Sequence, residues 1–320
     1  MANILEVKDL NLVFHMGKKS VRAVTDVEFN VQEGETFGLV GESGCGKSTT
    51  CKAILGLNSE NAEVTKGEII FENENLLKFS EKKMVAYRGK KIGMIFQEPM
   101  TALNPVLKIR KQMYEAFDRK MSKSEKNDKA VELMKLVGIP TPEKRLDSYI
   151  HQYSGGMRQR AMIAIALAAQ PRLLIADEPT TALDVTIQSQ IIRLLNKLKK
   201  DLNMSIILIT HDLGVVSQMC NHVGVMYAGY IVEIADKKSL FEHPSHPYTR
   251  GLLASLPQEN DTRERLESIP GTPPNPANLP EGCPFSDRCK YADEHCKKEL
   301  PDWTEISPDH RVRCFKSYIK

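Results

Sequence analysis

Gly41-Glu42-Ser43-Gly44-Cys45-Gly46-Lys47-Ser48-Thr49 stands between an apolar run, Thr36-Phe37-Gly38-Leu39-Val40, and a helix-compatible stretch over residues 49–57. That is the strand, loop and helix context which the pattern G-x-x-x-x-G-K-[ST] requires. The glycines let the backbone turn back on itself, so that successive N–H groups and the helix N-terminus face one anion. Lys47 adds a full charge for the β- and γ-phosphates, and Ser48 offers a hydroxyl oxygen to Mg2+. The stretch reads as a phosphate cradle, with Gly41, Ser43, Gly44, Cys45, Gly46, Lys47, Ser48 and Thr49 as its nucleotide-binding residues.

The other strand-like runs end in polar residues suited to the same ligand. Lys91-Ile92-Gly93-Met94-Ile95-Phe96 ends in Gln97, and ligands of open α/β sheets sit beyond the carboxyl ends of the strands. Gln97 is a candidate to reach Mg2+ or a water beside the γ-phosphate, or else a solvated turn residue. Arg172-Leu173-Leu174-Ile175-Ala176-Asp177-Glu178 is the continuous apolar run of a strand buried on both faces, closed by two acids. Asp177 suits the outer sphere of Mg2+. Glu178 points the other way along an extended backbone and suits the deprotonation of water. The strand Ser205-Ile206-Ile207-Leu208-Ile209-Thr210 runs into His211, a candidate donor for the γ-phosphate or else a capping or turn histidine.

Between these runs the spacing predicts helices over residues 124–137, 157–169 and 186–200. The last carries Ile187, Ile191, Leu194, Leu195 and Leu198 on one face. Ser154 can cap the second of them, and with Gly155 and Gly156 it opens another anion-binding N-terminus. Residues 4–33 read as short antiparallel β segments broken by the basic turn Met16-Gly17-Lys18-Lys19. Phe14 in that layer is a candidate to stack on adenine, or else a core residue of the sheet.

The chain has 320 residues, a net charge of +3 and 27% charged residues, so nothing in the overall balance calls for nucleic acid. Its longest apolar runs, 161–169 and 206–209, fall far short of the roughly 20 residues of a membrane-spanning helix. No basic stretch followed by an apolar one opens the sequence, so a cytosolic location is expected. Seven cysteines, an odd number, then point to thiol or metal chemistry rather than a disulfide framework. Four of them, Cys283, Cys289, Cys296 and Cys314, crowd a Pro-rich, loop-rich tail that is poor in apolar residues. Such a segment needs a source of stability other than a core, and a metal staple would supply it. Zinc and a [4Fe–4S] cluster are the alternatives, with unpaired structural cysteines as the third. The C-x5-C-x6-C-x17-C spacing lacks zinc knuckles and favours the larger cluster. His295 and His310 could each replace a cysteine ligand, although surface histidines are the more ordinary reading.

Taken in order, the cradle, Gln97, Tyr153-Ser154-Gly155-Gly156-Met157, Asp177-Glu178, Ala182-Leu183-Asp184 and His211 resemble the motifs of ATP-binding-cassette (ABC) ATPases over roughly residues 4–250. The resemblance implies an α/β P-loop core with a mostly parallel sheet, an antiparallel β layer and a helical insert at about 98–160. It divides the chain into a nucleotide-binding domain, 1–255, and a Cys-rich segment, 256–320. It also makes Glu178, His211 and Gln97 catalytic. Ser154, Gly155, Gly156 and Asp184 would contact ATP sandwiched against a second cassette, a paralogue or another copy. Tyr153 and Met157 depart from the common L-S-G-G-Q form of that motif.

Thr180-Thr181-Ala182-Leu183-Asp184-Val185, His246-Pro247-Tyr248-Thr249 and the terminal cysteines are similar to those of the D-type ATPase subunits of dipeptide and oligopeptide importers. Nickel importers share much of this pattern. The resemblance implies two membrane permease subunits as partners, an extracytoplasmic solute-binding protein acting indirectly, and a peripheral position on the inner face of the membrane. It points as well to the [4Fe–4S] cluster. A soluble nucleic-acid-handling ATPase of the same superfamily is the competing class; the single cassette and the absence of sustained heptads speak against it.

Overall fold

The computed structural model describes residues 2–17, 19–181, 183–256 and 268–317. Lys18, Ala182 and Pro257, which entered the sequence reading, lie outside them. Two compact units divide the chain: Met1–Gln32, Thr36–Lys78 and Thr210–Lys320 form one, Glu33–Glu35 and Phe79–Ile209 the other.

In the first unit, Thr36–Val40 is buried along its whole length and pairs in parallel with His222–Tyr227. Tyr230–Asp236 pairs antiparallel with His222–Tyr227, and His310–Val312 adds to its other side, followed by Thr304–Ser307. The tail expected to be loop-rich therefore extends a sheet. Strands of three or four residues leave no readable alternation, and their pairing partner lies about eighty residues away in sequence.

A separate antiparallel layer runs in the order Lys19–Gln32, Asn3–Met16, Ala62–Phe71, Glu74–Asn75. The first two strands are 14 residues each, rather than the short segments expected. Register shifts beside Asp9 and Asp26, both at φ 45°, interrupt the alternation on which the shorter reading rested.

The second unit is built on three parallel strands, Ile92–Ile95, Leu173–Asp177 and Ser205–Thr210. The latter two are buried at every position, the state their apolar runs require. Helices Ile109–Ala116, Lys123–Leu136 and Gly155–Ala166 make up most of the insert. Ser122 and Glu125 close a capping box at the start of the second, and Gly138 follows its end at φ 74°. Among the described residues no helix is long and apolar enough to cross a membrane.

Candidate functional site

Strand Thr36–Val40 delivers the cradle. Helix Lys47–Leu55 begins on Gly46, which has φ 109°, and a Cβ there would fall 2.6 Å from the Ala23 carbonyl oxygen. At Gly41 a Cβ would meet the Met226 carbonyl oxygen at 2.1 Å. Only glycine fits either place. Lys47 is buried, and its ammonium donates to the carbonyl oxygens of Gly41 and Glu42 at 2.8 Å each. A full charge is thus held against the carbonyls of the loop at the N-terminal end of a helix, where an anion such as a polyphosphate is favoured. Burial raises the pKa of the Cys45 thiol, although Lys47 pulls against it.

Three aromatic and basic residues, Tyr248, Arg288 and Tyr227, to which the sequence reading assigns no role at this loop, support it. Tyr248 Oη accepts the Glu42 N–H at 2.9 Å. Arg288 donates to both carboxylate oxygens of Glu42 at 2.8 and 3.1 Å, and to Tyr227 Oη at 3.2 Å. Their separations from Glu42, 206 and 246 residues for Tyr248 and Arg288, leave no local signal to read.

The second unit gathers another set of motif residues. Asp177 closes its strand almost fully buried, 5% exposed. Glu178 turns off the strand at φ 47°, its N–H donating to the Ile209 carbonyl at 2.9 Å. Its Oε2 accepts from Gln97 Nε2 at 2.9 Å and from Thr181 Oγ1 at 2.8 Å. Gln97 and Glu178, 81 residues apart, are thus brought together. Asp184 caps helix Val185–Asp201 by accepting the Ile187 N–H.

Ser154 occupies the N-cap position of helix Gly155–Ala166, but its side chain makes no capping bond, contrary to the expectation from sequence. The hydroxyl is exposed and stands apart from the first-turn N–H groups. Gly156 has a packing reason to be glycine, since a Cβ would lie 2.9 Å from Ile187 Cγ2. Tyr153, the departure from the usual motif, is buried and donates its hydroxyl to the Arg145 carbonyl.

In the first unit, His211 is exposed between the end of strand Ser205–Thr210 and helix Leu213–Met219, whose N-cap is Asp212. Phe14 is half-buried on the antiparallel layer and is not among its core residues.

A dipeptide transport ATP-binding protein of Lactococcus lactis is 50% identical over 310 residues, covering 96% of this chain and 89% of that protein. This chain belongs to the ABC transporter family of ATP-binding proteins. The ABC transporter family model matches residues 24–181, and the model of the oligopeptide/dipeptide transporter C-terminal region matches residues 232–296. An oligopeptide transport ATP-binding protein of Bacillus subtilis is also 50% identical, over 98% of this chain and 88% of its own length. Among solved structures, the dimeric post-hydrolysis state of the ATP-binding cassette MJ0796 bound to ADP and Pi is 28% identical with a TM-score of 0.65. It covers 73% of this chain and 98% of the cassette. Structure cbiO1 of Clostridium perfringens, part of the ABC transporter complex cbiONQ, is 29% identical with a TM-score of 0.66, over 76% of this chain and 92% of that one. The chain is accordingly an ABC ATPase with the mixed parallel and antiparallel α/β fold of the cassettes.

In this ABC ATPase the four tail cysteines line one cavity, together with His246 and Phe285. Burial pushes the Cys283 thiol up to about 12 and Cys314 to about 11, and it raises Cys289 and Cys296 as well. Among the described residues, no three His, Cys, Asp or Glu side chains are arranged to hold a metal ion. The four thiols lining one cavity are the whole structural case for either metal reading, zinc or cluster alike.

The histidine alternatives find no place at this cavity. His310 is not a surface residue: it is 3% exposed, with Nε2 2.7 Å from the buried Glu233 carboxylate. His295 is half-exposed and stacks on Phe315 at 4.0 Å. Buried His246 accepts the Tyr248 N–H on Nδ1, and burial lowers its pKa to about 4 against the upward pull of Glu233.

Proposed function

We propose that this chain is the ATP-hydrolysing subunit of an importer of dipeptides and oligopeptides. The observation that carries the reading is the order of two matches along one chain, a cassette followed by the oligopeptide/dipeptide transporter C-terminal region. Two permease subunits and a second ATPase subunit would complete the complex, with the chain lying peripherally on the inner face of the membrane. The nucleotide-binding domain spans 1–255 in this reading, and the Cys-rich segment 256–320.

The cradle residues hold the phosphates, and Phe14 stacks on adenine. Ser48, Gln97 and Asp177 are oxygen donors of the hard type that Mg2+ takes. The ion, when bound, offsets charge on the phosphates. Glu178 accepts a proton from the water that attacks the γ-phosphorus in line, Gln97 orients that water, and His211 donates to the γ-phosphate. Ser154, Gly155, Gly156 and Asp184 face the nucleotide of the opposite cassette. The exposed, uncommitted hydroxyl position of Ser154 suits that role.

The assembled transporter in vesicles should take up a labelled dipeptide or oligopeptide in an ATP-dependent manner, and the chain should copurify with two membrane subunits. Uptake of nickel without peptide, or copurification with nucleic acid instead of membrane subunits, would overturn the proposal. The four-cysteine cavity is read as the seat of a [4Fe–4S] group, for which Cys283, Cys289, Cys296 and Cys314 form a complete ligand set. Anaerobically purified protein should then contain about four irons and four labile sulfides per chain. One zinc and no sulfide would reject that part alone.

A further inference from the structure

We infer that Tyr248 and Arg288 are positioning residues for the phosphate loop, through which the Cys-rich segment sets the affinity for nucleotide. The inference rests on the reading of that loop as the ATP site.

The Gly41 carbonyl and the Glu42 N–H belong to one planar peptide unit and point in opposite directions. The carbonyl accepts from the Lys47 ammonium at 2.8 Å, while the N–H donates to Tyr248 Oη at 2.9 Å. Tyr248 therefore fixes the orientation of the peptide plane that holds the charge meant for phosphate. Without its hydroxyl that plane keeps only the Lys47 contact on its carbonyl side, and the first of the two carbonyl seats of the Lys47 ammonium is less firmly held. Tyr248 is fully buried against Tyr227 and Phe285, with ring centroids 4.6 and 5.4 Å away, so the hydroxyl is itself held in place.

Arg288 fixes the same residue by its side chain. Its fork makes two charge-assisted bonds to the Glu42 carboxylate, the geometry that gives such pairs both strength and direction. Only 6% of the Arg288 side chain is exposed, and its remaining donors are used by the carbonyls of Pro270 and Ile269. The segment that presents Arg288 also carries Cys283 and Cys289, and Phe285 between them packs on Tyr227 and Tyr248. A change in the cysteine cavity thus reaches the loop through two contacts, one on the backbone of Glu42 and one on its carboxylate.

The test is equilibrium binding of a non-hydrolysable ATP analogue with Mg2+ to the full-length chain. Tyr248→Phe keeps the ring and removes the hydroxyl; it should weaken binding about tenfold while the chain remains folded by circular dichroism. Arg288→Gln should weaken binding to a similar degree. In a Glu42→Gln background, where the ion pair is already gone, the same Arg288 change should cost twofold or less. A merely structural role, or a general loss of positive charge near the phosphates, would give the same loss in both backgrounds, and that outcome overturns the inference. So does a folded Tyr248→Phe variant whose affinity stays within twofold of the parent. If the Arg288 variant does not fold, Tyr248→Phe and Glu42→Gln decide the matter, and unchanged affinity in either rejects it. Failure of the unaltered chain to bind the analogue would instead reject the loop as an ATP site.

Discussion

Glu178 adopts φ 47°, a conformation uncommon for a residue other than glycine, and its N–H and carboxylate are both engaged. Two donors, Gln97 and Thr181, converge on Oε2, so the carboxylate has a fixed direction. A group held this way suits a general base, whose contribution is usually a factor of about 10^2–10^4. Glu178→Gln preserves shape and acceptor capacity toward both donors while losing basicity. It should leave ATP affinity within about twofold, slow hydrolysis by the assembled transporter at least ~100-fold, and accumulate a closed dimer detectable by size-exclusion chromatography. Rapid turnover by this variant would remove Glu178 from the mechanism. Legible in the sequence are the strands that end in motif residues, Leu173–Asp177 and Ser205–Thr210, because an unbroken apolar run marks them. The cap that Asp184 gives its helix is not read there, where the residue is named only for contact with nucleotide. Thr181, quoted in its motif, carries no role there because its hydroxyl acts on a neighbour three residues back, a local contact for which the motif supplies no spacing rule.

The insert was read almost to the residue at its clearest helix: 124–137 was expected and Lys123–Leu136 is observed. Its boundary is written in the Ser122–Glu125 capping box and in Gly138. Ser122→Ala should remove one cap, a loss of about 1 kcal/mol, and lower the unfolding temperature by about 2–4 °C in a calorimetric scan. An unchanged transition would mean that tertiary packing alone fixes the helix end. The stretch just before these helices carries Val106, 76% exposed, an apolar side chain with no core to enter. On the proposed importer reading, a permease subunit docking at this stretch would give it one. A cysteine at position 106 should crosslink to a membrane subunit in the assembled transporter, whereas crosslinks confined to the tail would place the docking face elsewhere.

The first unit shows where a linear reading stops. Its tail lacks periodic apolar residues, yet His310–Val312 joins a sheet and buries Val312 fully. What joins the pieces is a polar centre. Glu233, fully buried, accepts the N–H groups of Ser245 and His246 at 2.7 and 2.9 Å and meets His310 Nε2 at 2.7 Å. One carboxylate thereby ties together three stretches separated by as many as 77 residues, and no spacing rule could have found them. Burial by itself raises the Glu233 pKa, but the bonds from His310, Ser245 and His246 outweigh it and hold the group below its ordinary 4.5. A carboxylate with a depressed native pKa binds fewer protons folded than unfolded at pH values near and below 4.5. Its contribution is therefore complete above that pH and is lost as acid takes the solution down through the native value. Denaturant titrations between pH 7 and pH 3 should show stability falling on this acid limb. Glu233→Gln should be less stable at pH 7 by about 1–3 kcal/mol, because its amide nitrogen cannot accept one of the two buried N–H groups that the carboxylate oxygens accept, and its acid limb should be flatter. Parallel curves for the two proteins would show that Glu233 does not control the acid stability of the tail.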